Sequence, residues 1–452
     1  MSHRFAIAAA LVASLTGAFD AWAQPHPRIV NGAPTGDFPE VGIVLQHASR
    51  TDDTIVSLCS GTLVGCRTLL TAAHCVCAFS SDDAASCLAQ GMVHPEELTV
   101  FLANAGRVAV DGIQIHPEYD FTRRGDFAVL RLAESVATIE PAILDVAGRV
   151  AIGTAATIVG YGNTGGPPAD QNDFGIKRVG SVRTGACSTT VSADNHICWD
   201  FVDVDSNTCG GDSGGPLFVE RLGSPRLAGV TSGGNNSTCL APDNGFDADV
   251  FVHLDWLLPA IAASEGAIPC PEGPVLGDAE LVASTVEGTL ERSDAEAVIP
   301  VPVPPDAAAL LVTLNGALYS NGRFSTPNEF SLSLRPPGAA QAACIDASLG
   351  PFDVCRIDAP VAGTWQARIG RLRGFGAFQL STTTHLAAAR PCPGDCDGDG
   401  EVGVDELLRT VMLLFDSRLI ASCAAADADA SLGVSAGELL LALRSALDGC
   451  AP

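Results

Sequence analysis

The chain has 452 residues, a length that predicts about two to four domains, each with its own core. It contains 25 Lys and Arg against 52 Asp and Glu, which gives a formal net charge of -27 at pH 7. Such an acidic chain offers no basic surface to neutralise phosphates, which excludes nucleic acid as a partner. The acidity fits a soluble extracellular protein or one that carries divalent cations.

The first 23 residues have the features of a secretory signal peptide. Arg4 precedes a short apolar run over Phe5–Phe19, and the small residues of Ala21–Ala23 form a typical cleavage site, with cleavage expected after Ala23. The run is shorter than the roughly 20 residues of a membrane-spanning helix, so we expect secretion without a membrane span. The 16 cysteines of an exported chain predict disulfides, which persist in an oxidising compartment.

Residues 29–265 are predicted to form a mainly β domain. Their short apolar runs are separated by Gly, Pro and Asn, and such repeated short strands indicate a sandwich or a barrel. Examples of these runs are Val41–Leu45, Thr68–Ala72, Phe127–Leu132 and Ala155–Tyr161.

Two further modules are predicted after the Pro- and Gly-rich hinge at Cys270–Pro274. Residues 273–388 contain β-rich runs, and we expect a separate small β domain there. Residues 389–452 follow the Ala-rich linker Ala387–Ala389 and carry the first helical periodicity, with apolar residues at helical spacing from Val404 to Phe415. The tail therefore belongs to a different fold class.

Three local motifs together supply the groups that acyl transfer by a serine requires. They are LTAAHC with His74, GDFAVL with Asp126 and GGDSGGPL with Ser213. The chemistry needs a base for the hydroxyl proton, an acid that orients the base, and backbone donors for the oxyanion. Each motif alone is weak, but all three in this order predict a catalytic triad.

These motifs resemble those of the chymotrypsin/trypsin family of serine proteases over about Ile29–Leu258. The resemblance implies a double antiparallel β-barrel and a serine endopeptidase that acts on proteins or peptides. It makes His74 the general base and then acid, Asp126 its orienting partner and Ser213 the nucleophile. The amides of Gly211 and Ser213 are the implied oxyanion hole, and no cofactor is needed for this reaction.

The segment Arg28–Gly32 resembles the activation site of the same family. Cleavage between Arg28 and Ile29 would free an α-amine that pairs with the acid before the nucleophile, here Asp212. A buried ion pair requires both partners, so the uncleaved chain is expected to be a zymogen that depends on an activating protease. The propeptide, residues 24–28, is too short to cover an active site.

By the same resemblance, the primary substrate pocket has Asn207 at its base, Gly234 and Gly245 in its walls, and Ser232 on the substrate backbone. Family members that cleave after Arg or Lys carry Asp at the base, and a neutral amide cannot replace that charge. The side-chain preference therefore stays open. Alternative carboxylates near the pocket are Asp205, Asp247 and Asp249.

The resemblance also implies three disulfides, and two further pairs would close short loops. The three are Cys59 with Cys75, Cys187 with Cys198, and Cys209 with Cys239. The two are Cys77 with Cys87 and Cys344 with Cys355. The pairing of the remaining six stays open, because six cysteines allow many connectivities. They are Cys66, Cys270, Cys392, Cys396, Cys423 and Cys450.

Residues from about 290 to 384 resemble the pre-peptidase C-terminal domain, a β-sandwich found beside secreted peptidases. The resemblance lies in the turn Val303–Pro305 before Ala309–Gly316, and in Pro360–Trp365 after two cysteines. It implies a small β-sandwich, with a binding or targeting role and a passive spacer as alternative interpretations.

The tail segment Asp395–Glu406 fits the EF-hand calcium loop, because alternating carboxylates, a turn glycine and a final Glu provide the oxygen ligands of Ca²⁺. The predicted ligands are Asp395, Asp397, Asp399, Glu401 and Glu406. A second copy, Asp427–Glu438, has Leu432 in place of the turn glycine, so weak calcium binding or none is expected there.

Two loops that are each followed by a helix resemble dockerin modules, which bind cohesin partners. A cohesin-like or surface partner and a calcium-stabilised module without one are the two interpretations of this short α-helical tail. The alternatives to an active protease are a catalytically silent extracellular binding protein and a scaffold-tethered component. No motif points to a redox cofactor or a nucleotide.

Overall fold

The computed structural model describes most of the chain from Ile29 to Asp448. The described residues are 29–77, 81–166, 173–266, 270–271, 273–318, 328–387, 392–397, 401–416, 420, 422–427 and 433–448. The predicted signal peptide and propeptide, including Arg28, lie outside them. Within these ranges, no helix has both the length and the apolar character needed to cross a membrane.

Six antiparallel strands close into a barrel in the order β2-β3-β4-β7-β6-β5. They are β2 Val41–Ser49, β3 Asp52–Gly65, β4 Thr68–Thr71, β5 Leu98–Leu102, β6 Gly106–Ile115 and β7 Ala128–Leu132. Helix α1, Ala84–Gln90, lies between β4 and β5 in the chain. The apolar runs near Val41, Thr68 and Phe127 form strands because their side chains fill the barrel interior.

Seven strands form a second sheet in the order β1-β9-β10-β13-β12-β11-β8. They are β1 Ala33–Pro34, β8 Ala155–Gly160, β9 Arg178–Gly185, β10 His196–Phe201, β11 Pro216–Arg221, β12 Ser224–Gly234 and β13 Asp243–Asp249. Because β8 also pairs with β9, the sheet curls back on itself. Helix α2, Leu254–Glu265, then packs Leu257 and Ala260 against the core. The predicted mainly β class with a closed barrel is confirmed.

Two four-stranded antiparallel sheets follow and enclose a third core. One sheet has the order β14-β21-β16-β19 and the other β15-β20-β17-β18. The strands are β14 Leu281–Leu290, β15 Glu296–Val303, β16 Ala307–Gly316, β17 Glu329–Arg335, β18 Cys344–Asp346, β19 Phe352–Asp358, β20 Gly363–Arg373 and β21 Gly376–Leu386. Leu310, Val312, Trp365 and Leu380 are among the side chains buried between the sheets.

This β-sandwich does not stand apart from the barrels, although the sequence indicates a separate domain. Leu318, Leu349 and Phe352 of the sandwich belong to the same buried apolar cluster as Phe101 of the first barrel. The rings of Phe101 and Phe352 lie 5.5 Å apart, and Arg107 forms a 2.7 Å ion pair with Asp346 at the edge of the contact. The hinge near residue 270 thus separates two folds that share one apolar cluster, in addition to the core that the sandwich encloses.

The tail contains α3, Val404–Leu413, and α4, Ala436–Asp448. The predicted helix from Val404 therefore forms, but it buries Glu406, Thr410 and Leu413 and leaves much of the predicted apolar stripe exposed. Leu408 and Phe415, for example, are 61% and 86% exposed.

All five disulfides expected from the sequence are present among the described residues. Two further pairs, Cys66–Cys270 and Cys396–Cys423, join cysteines whose partners the sequence left open. Cys392 is also disulfide-bonded, and Cys450 lies outside the described residues. The first of the new pairs ties the chain beyond α2 to the first barrel.

Candidate active site

The predicted base and acid meet because their strands are neighbours in the first barrel. His74 lies in a short 3-10 turn directly after β4, and Asp126 precedes β7, which pairs with β4. The Nδ1 atom of His74 lies 2.7 Å from Oδ2 of Asp126, and the backbone amide of His74 donates to Oδ1 at 3.0 Å. Asp126 is fully buried, and the two hydrogen bonds from His74 fix the orientation of its carboxylate.

The predicted nucleophile lies on the loop before β11, at the junction of the two barrels. The carbonyl of Ser213 accepts a hydrogen bond from the Ser60 amide at 2.8 Å, and the Gly214 amide donates to Thr231 at 2.8 Å. A side chain at Gly214 would collide with Thr71, three residues before His74. The loop therefore packs closely against β4, the strand that precedes His74.

Among the described residues, no hydrogen bond joins the Ser213 hydroxyl to the His74 ring. Catalytic hydrogen bonds of unliganded enzymes are often long and tighten only when substrate binds. The structure therefore joins His74 to Asp126 directly and brings Ser213 to the same junction.

Two backbone amides of this loop form the predicted oxyanion hole. Within the described part of the chain, neither the Gly211 amide nor the Ser213 amide donates a hydrogen bond. The Gly211 amide shares its peptide group with the Gly210 carbonyl, which accepts the Asn163 amide at 3.0 Å. The Ser213 amide shares its peptide group with the Asp212 carbonyl, which accepts the Gly215 amide at 2.8 Å. Gly211 has φ +92°, a conformation that side chains disfavour. A pair of fixed amides of this kind can stabilise an oxyanion.

Asp212, the predicted partner of the new N-terminus, is buried between these amides and β8. Its Oδ1 accepts from the Gly162 amide at 2.7 Å, and its Oδ2 accepts from the Cys209 amide at 2.9 Å. Burial raises the pKa of Asp212 to about 7, although both amide bonds act to lower it. Ile29 is also fully buried, and the Val30 carbonyl accepts a 3.0 Å hydrogen bond from the backbone amide of Asn207.

The predicted pocket base, Asn207, is fully buried, and both ends of its amide are bonded. Its Oδ1 accepts from the Trp199 indole at 3.0 Å, and its Nδ2 donates to the Cys239 carbonyl at 3.1 Å. The same nitrogen donates to Oδ2 of Asp243 at 2.8 Å. Gly245 packs against the ring of Trp199, and Ser232 is buried.

Asp243 lies beside two residues of the predicted pocket, Asn207 and Gly234, and the sequence did not reveal it. Its Oδ2 lies 2.7 Å from the position of a Cβ on Gly234, the predicted wall residue, and its Oδ1 accepts three backbone amides at 2.8 Å. The three donors are Asn235, Asn236 and Asn244. No sequence motif identifies Asp243. Its position at the start of β13 brings it near Asn207, and this closeness can be recognised only when the register of the strands is known.

None of the three carboxylates considered from the sequence takes this position. Asp249 pairs with Arg149 at 3.1 Å. Asp247 is fully buried, and burial raises its pKa well above the usual range, although a hydrogen bond with the Thr231 side chain acts to lower it. Asp205 is exposed, and its carbonyl accepts a bond from Asn31.

In the tail, three of the predicted calcium ligands converge. Oxygens of Asp395, Asp397 and Glu406 lie within 4.8 Å of one another, and the first and last of these side chains are buried. Glu406 also accepts the amides of Cys396 at 2.6 Å and Gly403 at 2.7 Å, which holds the loop around it. A set of carboxylate oxygens fits a hard cation such as Ca²⁺.

Of the two other predicted ligands of the first loop, the structure describes only Glu401. Glu401 is exposed, and Asp399 lies outside the described residues. In the second loop, Glu438 is buried, whereas Asp429 and Ser431 lie outside the described part.

Comparison with known proteins places the similarity in the first half of the chain. The family model described as Trypsin matches residues 33–257. A trypsin of Saccharopolyspora erythraea is 37% identical over 215 residues, which is 45% of this chain and 87% of that protein. Trypsin, alkaline B, of Manduca sexta is 29% identical over 245 residues, 51% of this chain and 90% of that protein. The β-sandwich and the tail lie outside the family match.

Proposed function

Because the chain belongs to the trypsin family and is a serine endopeptidase, we propose that His74, Asp126 and Ser213 hydrolyse peptide bonds through an acyl-enzyme. The observation that carries this proposal is the 2.7 Å contact between His74 and the buried Asp126. It holds the proton on Nδ1 and leaves Nε2 free to act as the base.

In the proposed reaction, Nε2 of His74 takes the hydroxyl proton as Oγ of Ser213 attacks the scissile carbonyl. The carbonyl oxygen becomes an oxyanion, which the amides of Gly211 and Ser213 stabilise. His74 then gives its proton to the leaving amine, and the acyl-enzyme remains. Water, deprotonated by His74, attacks the ester and releases the second product.

We also propose that the protein is exported and made as a zymogen that is cleaved between Arg28 and Ile29. Sixteen cysteines and an N-terminal signal-like segment support export. The buried Asp212 supports activation by cleavage, because without a nearby ammonium its negative charge is costly. Cleavage would supply that ammonium at Ile29.

The pocket is proposed to accept Arg or Lys side chains. The Asn207 amide is neutral, but it is bonded to the Asp243 carboxylate, so the pocket base carries a negative charge. An oxygen ligand next to a cationic side chain gives a strong, charge-assisted bond. Since Arg28 is such a residue, activated protein could cleave its own zymogen.

The tail is proposed to bind one Ca²⁺ at Asp395, Asp397 and Glu406. Their convergence supports the proposal. The ion would neutralise buried carboxylates and hold the loop, and it takes no part in catalysis.

The test is a peptide-library cleavage profile on protein cut before Ile29, with Ser213→Ala as the control. We expect cleavage after Arg and Lys that disappears in the control, together with covalent labelling of Ser213 by a sulfonyl fluoride. Cleavage after apolar residues would contradict the pocket assignment alone. Neither turnover nor labelling would contradict the triad and favour a binding protein.

A further inference from the structure

A side chain of the β-sandwich holds one short segment of the protease, residues 173–178. Gln379 of β21 is 2% exposed. Its Oε1 accepts the Lys177 amide at 2.8 Å, and its Nε2 donates to the Lys177 carbonyl at 3.1 Å. The same nitrogen donates to the Thr35 carbonyl at 3.2 Å, next to the N-terminal strand β1. One side chain thus pairs with both backbone groups of Lys177, as a neighbouring strand would.

The end of β16 extends this contact along the same segment. Asn315 is 1% exposed, and its Nδ2 donates to the Gly175 carbonyl at 2.8 Å and to Gln379 at 2.9 Å. The Leu318 amide donates to the Phe174 carbonyl at 2.7 Å. The sandwich therefore binds the backbone at three of the six residues of the segment, and these bonds are shielded from water.

The opposite side of the segment contacts the catalytic loops. The Phe174 ring lies against Gly211, since a Cβ there would be 2.9 Å from Phe174 Cδ1. The buried Arg178 guanidinium donates to the Gly162 carbonyl at 2.9 Å. The amide of Gly162 in turn bonds Asp212 at 2.7 Å. A single segment thus connects the sandwich to the proposed oxyanion hole.

We propose that Gln379 and Asn315 are positioning residues for the endopeptidase reaction, acting through residues 173–178 on Gly211. The inference rests on the proposed function, because it requires Gly211 and Ser213 to form the oxyanion hole. Close-packed interiors transmit small displacements, and a shift of about 1 Å near reacting groups can cost about 100-fold in rate. On this proposal, the sandwich contributes to catalysis by positioning Gly211.

The test measures kcat and KM of full-length, activated protein carrying Gln379→Ala or the milder Asn315→Ala. We expect kcat to fall about tenfold with KM changed less than about twofold, because oxyanion donors act mainly in the transition state. The matched control is Val312→Ala, which removes a buried side chain of the sandwich core. It should lower the melting temperature and leave kcat unchanged.

A second measurement combines Gln379→Ala with Phe174→Ala in a double-mutant cycle. If Gln379 acts through the segment, the two losses in kcat are not additive. Additive losses, or an equal loss of kcat in Val312→Ala at a matched melting temperature, would overturn the positioning role. Wild-type protein without Ser213-dependent turnover would instead overturn the proposed function.

Discussion

At the scale of single residues, the proposed activation by cleavage predicts a pH dependence that arises from Asp212. Burial raises its pKa to about 7 in the uncleaved chain, compared with about 4 in an unfolded chain. The folded state therefore holds the proton more tightly than the unfolded state does. The contribution of Asp212 to stability is favourable at low pH, and it declines as the pH rises from about 4 through 7.

Cleavage before Ile29 should remove this decline. The new ammonium would pair with Asp212 and lower its pKa, so cleaved protein is expected to gain more stability over uncleaved protein at pH 8 than at pH 5. Thermal melts of cleaved and uncleaved Ser213→Ala protein at both pH values measure the difference. Asp212→Asn, measured in both the cleaved and the uncleaved form, is the control and should lack this pH-dependent difference. A difference independent of pH would contradict the pairing.

Asp243→Asn should change the substrate preference without stopping catalysis. Loss of one charge-assisted bond is expected to lower kcat/KM for Arg substrates by about 10- to 100-fold, with a smaller effect on apolar substrates. Asp247→Asn is the matched control, because Asp247 is buried and burial favours its neutral form. If the two variants gave the same ratio of kcat/KM for Arg substrates to kcat/KM for Leu substrates, Asp243 would not supply the negative charge of the pocket.

At the scale of elements, local patterns in the sequence were sufficient to predict strands but not their partners. The apolar runs at Val41 and Thr68 form strands because each buries its own side chains. Asp243 and Gln379 were missed because their roles arise from contacts with residues distant in the chain. The helical period from Val404 predicted α3 but not which of its faces is buried, since that depends on packing within the tail.

The proposed calcium loop of the tail offers a test at this scale. Glu406→Gln should abolish calcium-dependent protection of α3 amides from hydrogen exchange, because Glu406 is buried beside Asp395 and Asp397. In the wild type, calcium at about 100 times its Kd should add about 2.7 kcal/mol of protection. Glu438→Gln in the incomplete second loop is the control and should retain that protection. Equal protection with calcium and with a chelator would contradict the site.

At the scale of the complete chain, we expect the unit of folding to be larger than the family match. The sandwich contributes Leu318, Leu349 and Phe352 to the cluster that also contains Phe101. Loss of each such side chain costs about 2–5 kcal/mol, a large share of the roughly 5–15 kcal/mol of a typical domain. The barrels and the sandwich should therefore unfold in a single transition.

Two truncated chains distinguish a single folding unit of barrels and sandwich from independent domains. A chain ending at Pro271 keeps the Cys66–Cys270 disulfide but loses the sandwich, and it is expected to be insoluble or to melt well below the full chain. A chain ending at Ala387 loses only the tail, so its melting temperature and kcat should match those of the full protein. Phe352→Ala in the full chain should lower the single transition, because it opens the shared core without removing a domain. If the chain ending at Pro271 melted with the full protein, the shared core would contribute little, and the barrels would fold without the sandwich.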